Sequence, residues 1–323
     1  MNAQRAAPIA ALVVLAVAAP AVHAQGYPVR PVRIVVPYAP GGNTDIVSRM
    51  IAQRLQPVWN QQLVVDNRPG GATNIGSELV AKAAPDGYTL LMGGASNAVN
   101  MTLFRKLGYD TLKDFAPVIL CTTGANVLSV HPSVPAKNLK ELMALARARP
   151  GQLTFGSSGI GSSNQMAGEL FKQMANIDIV HVPYKGNAPA MTDAVGGHIE
   201  MVIAGITSMV PLIKSGKLRA IAIGSTKRFA AVPEIPTFNE SGLPGYEALT
   251  WFGLMAPAGT PPDVIAKVNG DVARILAAPD MRERLAADGQ EPGGGPPEQF
   301  GQFIRAEIAK YAKVIRAGGL KSD

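Results

Sequence analysis

The stretch VRIVVPYAPGGNTDIVSRMIAQRL, Val32 to Leu55, decides the fold class. Its first seven residues, Val32–Tyr38, are β-branched and apolar on both alternating faces, as a strand buried on both sides requires. From Ile46 the apolar residues change period: Ile46, Val47, Met50, Ile51 and Leu55 fall three and four apart, the inward stripe of a helix. Between the two lie Gly41 and Gly42, where backbone can turn sharply or approach a ligand closely. A helix starting near Thr44 presents N–H groups without intrahelical partners at the positive end of its dipole. The turn is therefore either an anion site or an ordinary strand-to-helix connection capped by Thr44 or Asn43. Asp45 fits a residue that stabilises its own helix N-terminus.

The same alternation continues. Gln62–Asn67 and Tyr88–Gly94 read as further buried parallel strands, and the βαβα order predicts an α/β sheet. Ligands on such sheets sit beyond the C-terminal strand ends. A second unit begins near Asn126–Val134 and runs through Leu153–Ser158, Asp178–Tyr184, Glu200–Gly205 and Leu218–Ser225, with helices between. Two further helical patterns follow, with Val264, Val268, Val272 and Ile275, then Phe300, Phe303, Ile304 and Ile308. A tail of helices after the second unit implies that the chain returns to cover the first. The expected organisation is two α/β lobes joined by two crossings near Asn126 and Thr250. Residues 25–125 and 250–323 form the first lobe, and 126–249 the second.

Residues 1–24 read as a secretory signal. Arg5 is followed by an Ala/Val/Leu run, and Val22 and Ala24 place small residues before a cleavage point at Gln25. The expected location is the periplasm. Some 300 mature residues suit two lobes better than one core. Cys121 is the only cysteine of the 323 residues, so no internal disulfide forms and burial must hold the fold. The net charge of +7 is scattered, with no basic run or aromatic ladder of the kind nucleic-acid binding uses. It favours anions mildly.

The second unit repeats the glycine-rich turn. GSSGIGSSN, Gly156–Asn164, lies between a strand and the helix carrying Met166 and Leu170. Ser157, Ser158, Ser162 and Ser163 supply hydroxyls beside Gly159 and Gly161, although Ser162 also suits a helix cap. Two such turns in separate lobes converge on one cleft when the lobes face each other. Asn67–Gly76 and Gly93–Asn97, the latter with Ser96, are placed to line the same edge. Enzyme signatures are missing. Ser158 lacks the glycine two residues on that a nucleophile elbow needs, and no phosphate-binding loop ends in Gly-Lys-Ser/Thr. His131, His181 and His198 stand apart from one another and from Cys121, so no metal set forms, and no cofactor is called for. His181, inside an apolar strand, reads as a structural residue.

Runs that include RIVVPYAPGGNTDIVSRMIAQRL, VVDNRPGGATNIGSELVAKAAPDGYTLL, GSSGIGSSNQMAGELFKQM, VHVPYKGNAPAMTDAVGGHIE and TWFGLMAPAGTPP resemble, in this order, the extracytoplasmic solute receptors of tripartite tricarboxylate transporters, the Bug-type periplasmic binding proteins. The resemblance covers essentially the whole mature chain. It implies a type II periplasmic-binding fold and a monomeric receptor that hands a small carboxylate to membrane permease subunits, without catalysis. By the same resemblance the ligand carboxylate lies against Tyr38, Pro40, Gly41, Gly42, Thr44 and Asp45. The loop with Ser157, Ser158, Gly161, Ser162 and Ser163, and the turn at Tyr184, close over the rest. Two positions depart from the family: Gln165 stands where many members have His, and Ala204 where members that take amino acids carry Asp. With Ala204 facing the cleft, a plain organic or aromatic acid is expected over an amino acid. Two other readings belong to different classes: an exported hydrolase or isomerase using the same cleft, and a receptor that presents its ligand to a membrane sensor.

Overall fold

The computed structural model describes residues 26–229 and 232–322; the expected signal segment lies outside them. Strand β1 (Val32–Val36) pairs in parallel with β2 (Leu63–Asn67) on one side and β3 (Thr89–Gly94) on the other. Its alternation sorts the core into two layers. Val32, Ile34 and Val36 meet Val47, Ile51 and Leu55 of α1 (Asn43–Trp59) and Val268 and Val272 of α8 (Pro262–Ala277). Val35 faces the other way, into a cluster with Leu91, Val99, Phe300 and Ile304. Both faces of β1 are covered, as its apolar run, interrupted only by Arg33, requires. The C-terminal helices close this lobe. Trp59 donates to Asp271 of α8 at 2.6 Å, and Trp251 donates to Glu307 of α10 (Pro297–Ala317) at 2.8 Å.

The lobes share one curled sheet in the order β2, β1, β3, β9 (Leu249–Pro257), β4 (Phe115–Val130), β7 (Met201–Gly205), β5 (Thr154–Ser157), β6 (Val180–Pro183), with β10 (Gln290–Gly294) and β8 (Arg219–Ile223) also on β4. Strand β4 (Phe115–Val130) is the first crossing. Up to Ala125 it pairs antiparallel with β9 (Leu249–Pro257); from Asn126 it pairs with β7 (Met201–Gly205) and, from Val127, with β8. β4 changes partners at Asn126, where the second unit is expected to begin, and the strand itself starts at Phe115. In the structure the register shifts after Pro117, and Gly124 leaves room that the Gln290 side chain fills, 2.3 Å from where a β-carbon would stand.

The second crossing is tied to the first at one residue. The Asn126 N–H donates to the Ala248 carbonyl at 3.4 Å, and its side-chain amide donates to the same oxygen at 3.2 Å. Its Oδ1 accepts from Asn164 Nδ2 at 2.6 Å, which links the hinge to the start of α5 (Ser163–Ala175). Beyond the hinge, Leu128, Phe155, Phe171, Ile203, Phe238 and Tyr246 belong to the core of the second lobe. The fold is a type II periplasmic-binding-protein fold of two α/β lobes.

Candidate ligand-binding cleft

Four helices begin at the interface between the lobes. Helices α1, α3 (Ala95–Leu103) and α6 (Asn187–Val195) follow Gly42, Gly94 and Gly186; α1 and α6 have no side-chain cap, while at α3 Asn97 Oδ1 accepts the Gly94 N–H at 3.1 Å, and α5 follows Ser162. Gly42, Asn43, Thr44, Gly94, Ala95, Ser163, Asn164 and Asn187 from these starts line a small inner cavity of about 20 Å³, closed by Thr250 and Phe252. That volume holds about one water or one small ligand group. No charged side chain lines it. Its donors are helix N-termini, which carry the positive end of the backbone dipole.

The inner cavity also holds polar atoms with nothing to bond. Asn43 is 3 % exposed and neither its Nδ2 nor its Oδ1 has a partner; the same is true of Asn187 Oδ1. Buried amides left unpaired cost about 1–3 kcal/mol per group, so such atoms point to an occupant. Tyr38 and Ser158 line both this cavity and an outer one of about 210 Å³. The outer cavity runs past Pro37, Pro69, Ile160 and Pro183 and includes Thr73, Tyr184 and Lys185. The lobes touch directly beside it, where the Ala39 N–H donates to the Lys185 carbonyl at 3.2 Å.

Of the residues expected from sequence, Gly42, Thr44 and Ser163 line the inner cavity, Tyr184 the outer, and Tyr38 and Ser158 both. Ser96 stands behind Tyr38, whose hydroxyl donates to it at 3.0 Å. Burial pushes the Tyr38 hydroxyl up to about 12 against the pull of Ser96. Burial and then Asp193 raise Tyr184 to about 12. Both stay neutral phenols.

The remaining residues serve the loops or lie elsewhere. Pro40 and Gly41 are exposed and off both cavities. The Gly41 N–H is taken by Asp45 at 3.0 Å, so that carboxylate answers the turn from within the chain. Burial would raise Asp45, but Arg49, the Gly41 N–H and Asn67 outweigh it and hold it below the usual carboxylate range. Ser162 caps α5, accepting from the Gln165 N–H at 3.2 Å and donating to the Gly159 carbonyl at 2.6 Å. The Gly161 N–H donates to Gln165 Oε1 at 2.7 Å.

Ser157 lies 2.6 Å from His181 Nε2 and accepts the Gly159 N–H. Ser157 is fully buried, neither it nor His181 lines either cavity, and this Ser–His contact ties β5 (Thr154–Ser157) to β6 (Val180–Pro183). Ala204 is the correction. It is fully buried among Ala190, Val202, Met209 and Leu218, and lines neither cavity. Strand alternation puts Ala204 on the face of Val202; its neighbour Gly205 is the residue that meets Asn43 across the cleft.

Asn43 and Asn187 were missed as cavity-lining residues, although one signal was available. GGNTD and KGNAP both place Asn directly after the glycine that precedes a helix. Thr250 and Phe252 carried no such signal, because they enter from the returning strand β9.

Residues 47–320 match the profile of the tripartite tricarboxylate transporter family receptor. Protein BugT of Bordetella pertussis is 37 % identical over 307 residues, which cover 94 % of each chain. Among solved structures, R. palustris Rpa4515 with adipate is 39 % identical with a TM-score of 0.89, over 91 % of this chain and 99 % of that one. MatC (Rpa3494) from Rhodopseudomonas palustris, with bound malate, is 34 % identical with a TM-score of 0.86, over 90 % and 100 %. The chain belongs to the receptor family of tripartite tricarboxylate transporters, of the Bug type.

Proposed function

We propose that the protein is a periplasmic receptor that takes a small carboxylate, an organic or aromatic acid, into the interlobe cleft. It delivers the acid to the membrane permease subunits of a tripartite tricarboxylate-type transporter. The observation that carries this reading is the inner cavity: the uncapped starts of α1 and α6, one from each lobe, an unpartnered Asn43 Nδ2 donor, and no charged side chain. A carboxylate accepts from such donors without a counter-ion, as sulfate or phosphate does at other helix N-termini. The adipate and malate of the two related structures are ligands of this kind. The receptor works as a monomer, exported by a signal cleaved after Ala24, and binds without turnover, because the lining offers no nucleophile with an adjacent base.

A thermal-shift screen of mono-, di- and aromatic carboxylates tests it. Free ligand at a hundred times Kd adds about 2.7 kcal/mol, a rise of several degrees for a chain of this size. A panel that leaves the melting temperature unmoved overturns the carboxylate reading. Steady product formation from a bound acid, followed by mass spectrometry, overturns the receptor reading.

A further inference from the structure

We propose that Asn164 and Asn126 are positioning residues that carry contact at Ser158, on the wall of the cleft, to the hinge at Ala248. The inference rests on the receptor reading above and adds how the two crossings register what lies between the lobes.

Four residues form an unbroken chain of hydrogen bonds. The Ser158 hydroxyl donates to Asn164 Oδ1 at 2.5 Å, and Asn164 Nδ2 donates to Asn126 Oδ1 at 2.6 Å. Asn126 Nδ2 in turn donates to the Ala248 carbonyl at 3.2 Å. One end of this chain lines both cavities, and the other lies in the second crossing. Ser158 is 8 % exposed, Asn164 3 % and Asn126 2 %, so a broken link has little water to replace it. The Asn126 backbone is engaged as well. Its carbonyl accepts the Gly224 N–H at 2.8 Å, and its N–H donates to Ala248 at 3.4 Å. The end of β8, the middle of β4 and the start of β9 thus meet at this one residue.

The direction of the chain is fixed from the hinge. The Asn126 amide end that faces Ala248 also faces the Ser163 carbonyl, at 3.5 Å. Carbonyl oxygens only accept, so this end is the NH2 group and Oδ1 is left to face Asn164. Asn164 then turns Nδ2 to Asn126 and Oδ1 to Ser158, which commits the single Ser158 proton to Asn164. The chain cannot reverse while Asn126 stands against two carbonyls. An occupant of the cleft that accepts from Ser158 takes the proton from Asn164 and leaves a buried acceptor bare. An occupant that donates to Ser158 leaves the chain whole. Asn126 lines neither cavity, so it feels the difference only through Asn164, and it holds both crossings.

Amide hydrogen exchange on the ligand-free mature chain, resolved by NMR, tests this. Ser158→Ala removes the first donor. The N–H groups of Asn126, Gly224 and Ala248 should then exchange about threefold to tenfold faster, the scale of one lost neutral hydrogen bond. The Val180 N–H, bonded to the Leu153 carbonyl in the same lobe, should keep its native rate. Ser158→Thr keeps the hydroxyl and should keep all four rates native. Asn164→Leu should also speed the three hinge amides, and adding Ser158→Ala should speed them no further, because the link is already cut. Acceleration confined to residues 156–164 in Ser158→Ala overturns the relay. Equal acceleration at Val180 overturns it too, since that marks a general loss of stability. So do Ser158→Thr rates that match Ser158→Ala, or a further acceleration in the double variant. Should Asn164→Leu fail to fold, the Ser158→Ala and Ser158→Thr pair decides alone. No ligand enters these measurements, so a carboxylate screen without a hit overturns the receptor reading alone.

Discussion

Asn43 and Gly205 meet across the cleft so closely that only a glycine permits the contact: a β-carbon on Gly205 would stand 1.8 Å from Asn43 Nδ2. Asn43 opens α1 in the first lobe, and Gly205 ends β7 in the second. The Asn43 amide is buried there with neither polar atom paired, so closing the lobes without a ligand carries a desolvation cost of about 1–3 kcal/mol per group. Closure is then conditional on an occupant. Gly205→Ala should block it. Gly205 has φ −65°, ordinary for any residue, so the variant should fold. Small-angle scattering should show no compaction of Gly205→Ala under saturating ligand, and the double variant with Asn43→Ala should compact again. Full compaction of the single variant would show that the contact does not set the closed state.

The turn at Gly42 offers a second test. Its φ is −85°, and a β-carbon there would find its nearest neighbour, the Asn187 N, at 3.8 Å, an ordinary contact. Gly42→Val should therefore leave the fold intact. The two methyls beyond that β-carbon have only about 20 Å³ of cavity to enter, so ligand binding should be lost. Circular dichroism checks the fold and calorimetry the binding. Unchanged affinity in the folded variant places the ligand elsewhere.

What the sequence disclosed about this region follows the range of each signal. The Val32–Leu55 strand and helix were legible because a short β-branched run gives way to apolar residues three and four apart, and β1 and α1 stand where that change puts them. Gly42, Thr44 and Ser163 were legible as cavity residues because they flank helix starts. Gly41 and Ser162 look identical to them in sequence, yet their polar groups are spent on Asp45 and on the α5 cap. Which donor is left free depends on partners several residues away. The half of β4 before Asn126 carried no such local signal, because it is held by long-range pairing with β9 and by Gln290 filling the room that Gly124 leaves. Ala204 failed for a simpler reason: one residue along a strand changes the face.

His181 makes acid stability readable. Burial, with a smaller push from the Lys172 charge, lowers its pKa from 6.5 to about 4. The folded state thus holds the imidazole neutral where the unfolded chain would protonate it. The resulting stability is fully present above about pH 6.5 and falls away as pH drops toward 4, by about 3 kcal/mol in all. His181→Gln removes this term. Urea titrations through that window should show a flatter profile for the variant than for native protein. Parallel profiles would mean that His181 is not held neutral in the fold.

Ala204→Asp separates two placements of one residue. If the side chain faced the cleft, a carboxylate there would pair with a ligand ammonium and shift preference from succinate toward aspartate. In the structure Ala204 is fully buried in an apolar cluster with Ala190, Val202, Met209 and Leu218. The new carboxylate would lose water without gaining a partner. Unfolding stability at neutral pH should fall by about 3–5 kcal/mol, the scale of an uncompensated buried charge. Burial raises the folded-state pKa of such a carboxylate above its unfolded value. The deficit relative to native protein should therefore shrink as the pH falls through that raised pKa. The succinate-to-aspartate affinity ratio of the fraction that remains folded should stay native. Denaturant titrations near neutral and mildly acidic pH measure the first effect, and paired calorimetric titrations the second. A variant as stable as native that prefers aspartate would place Ala204 in the cleft after all.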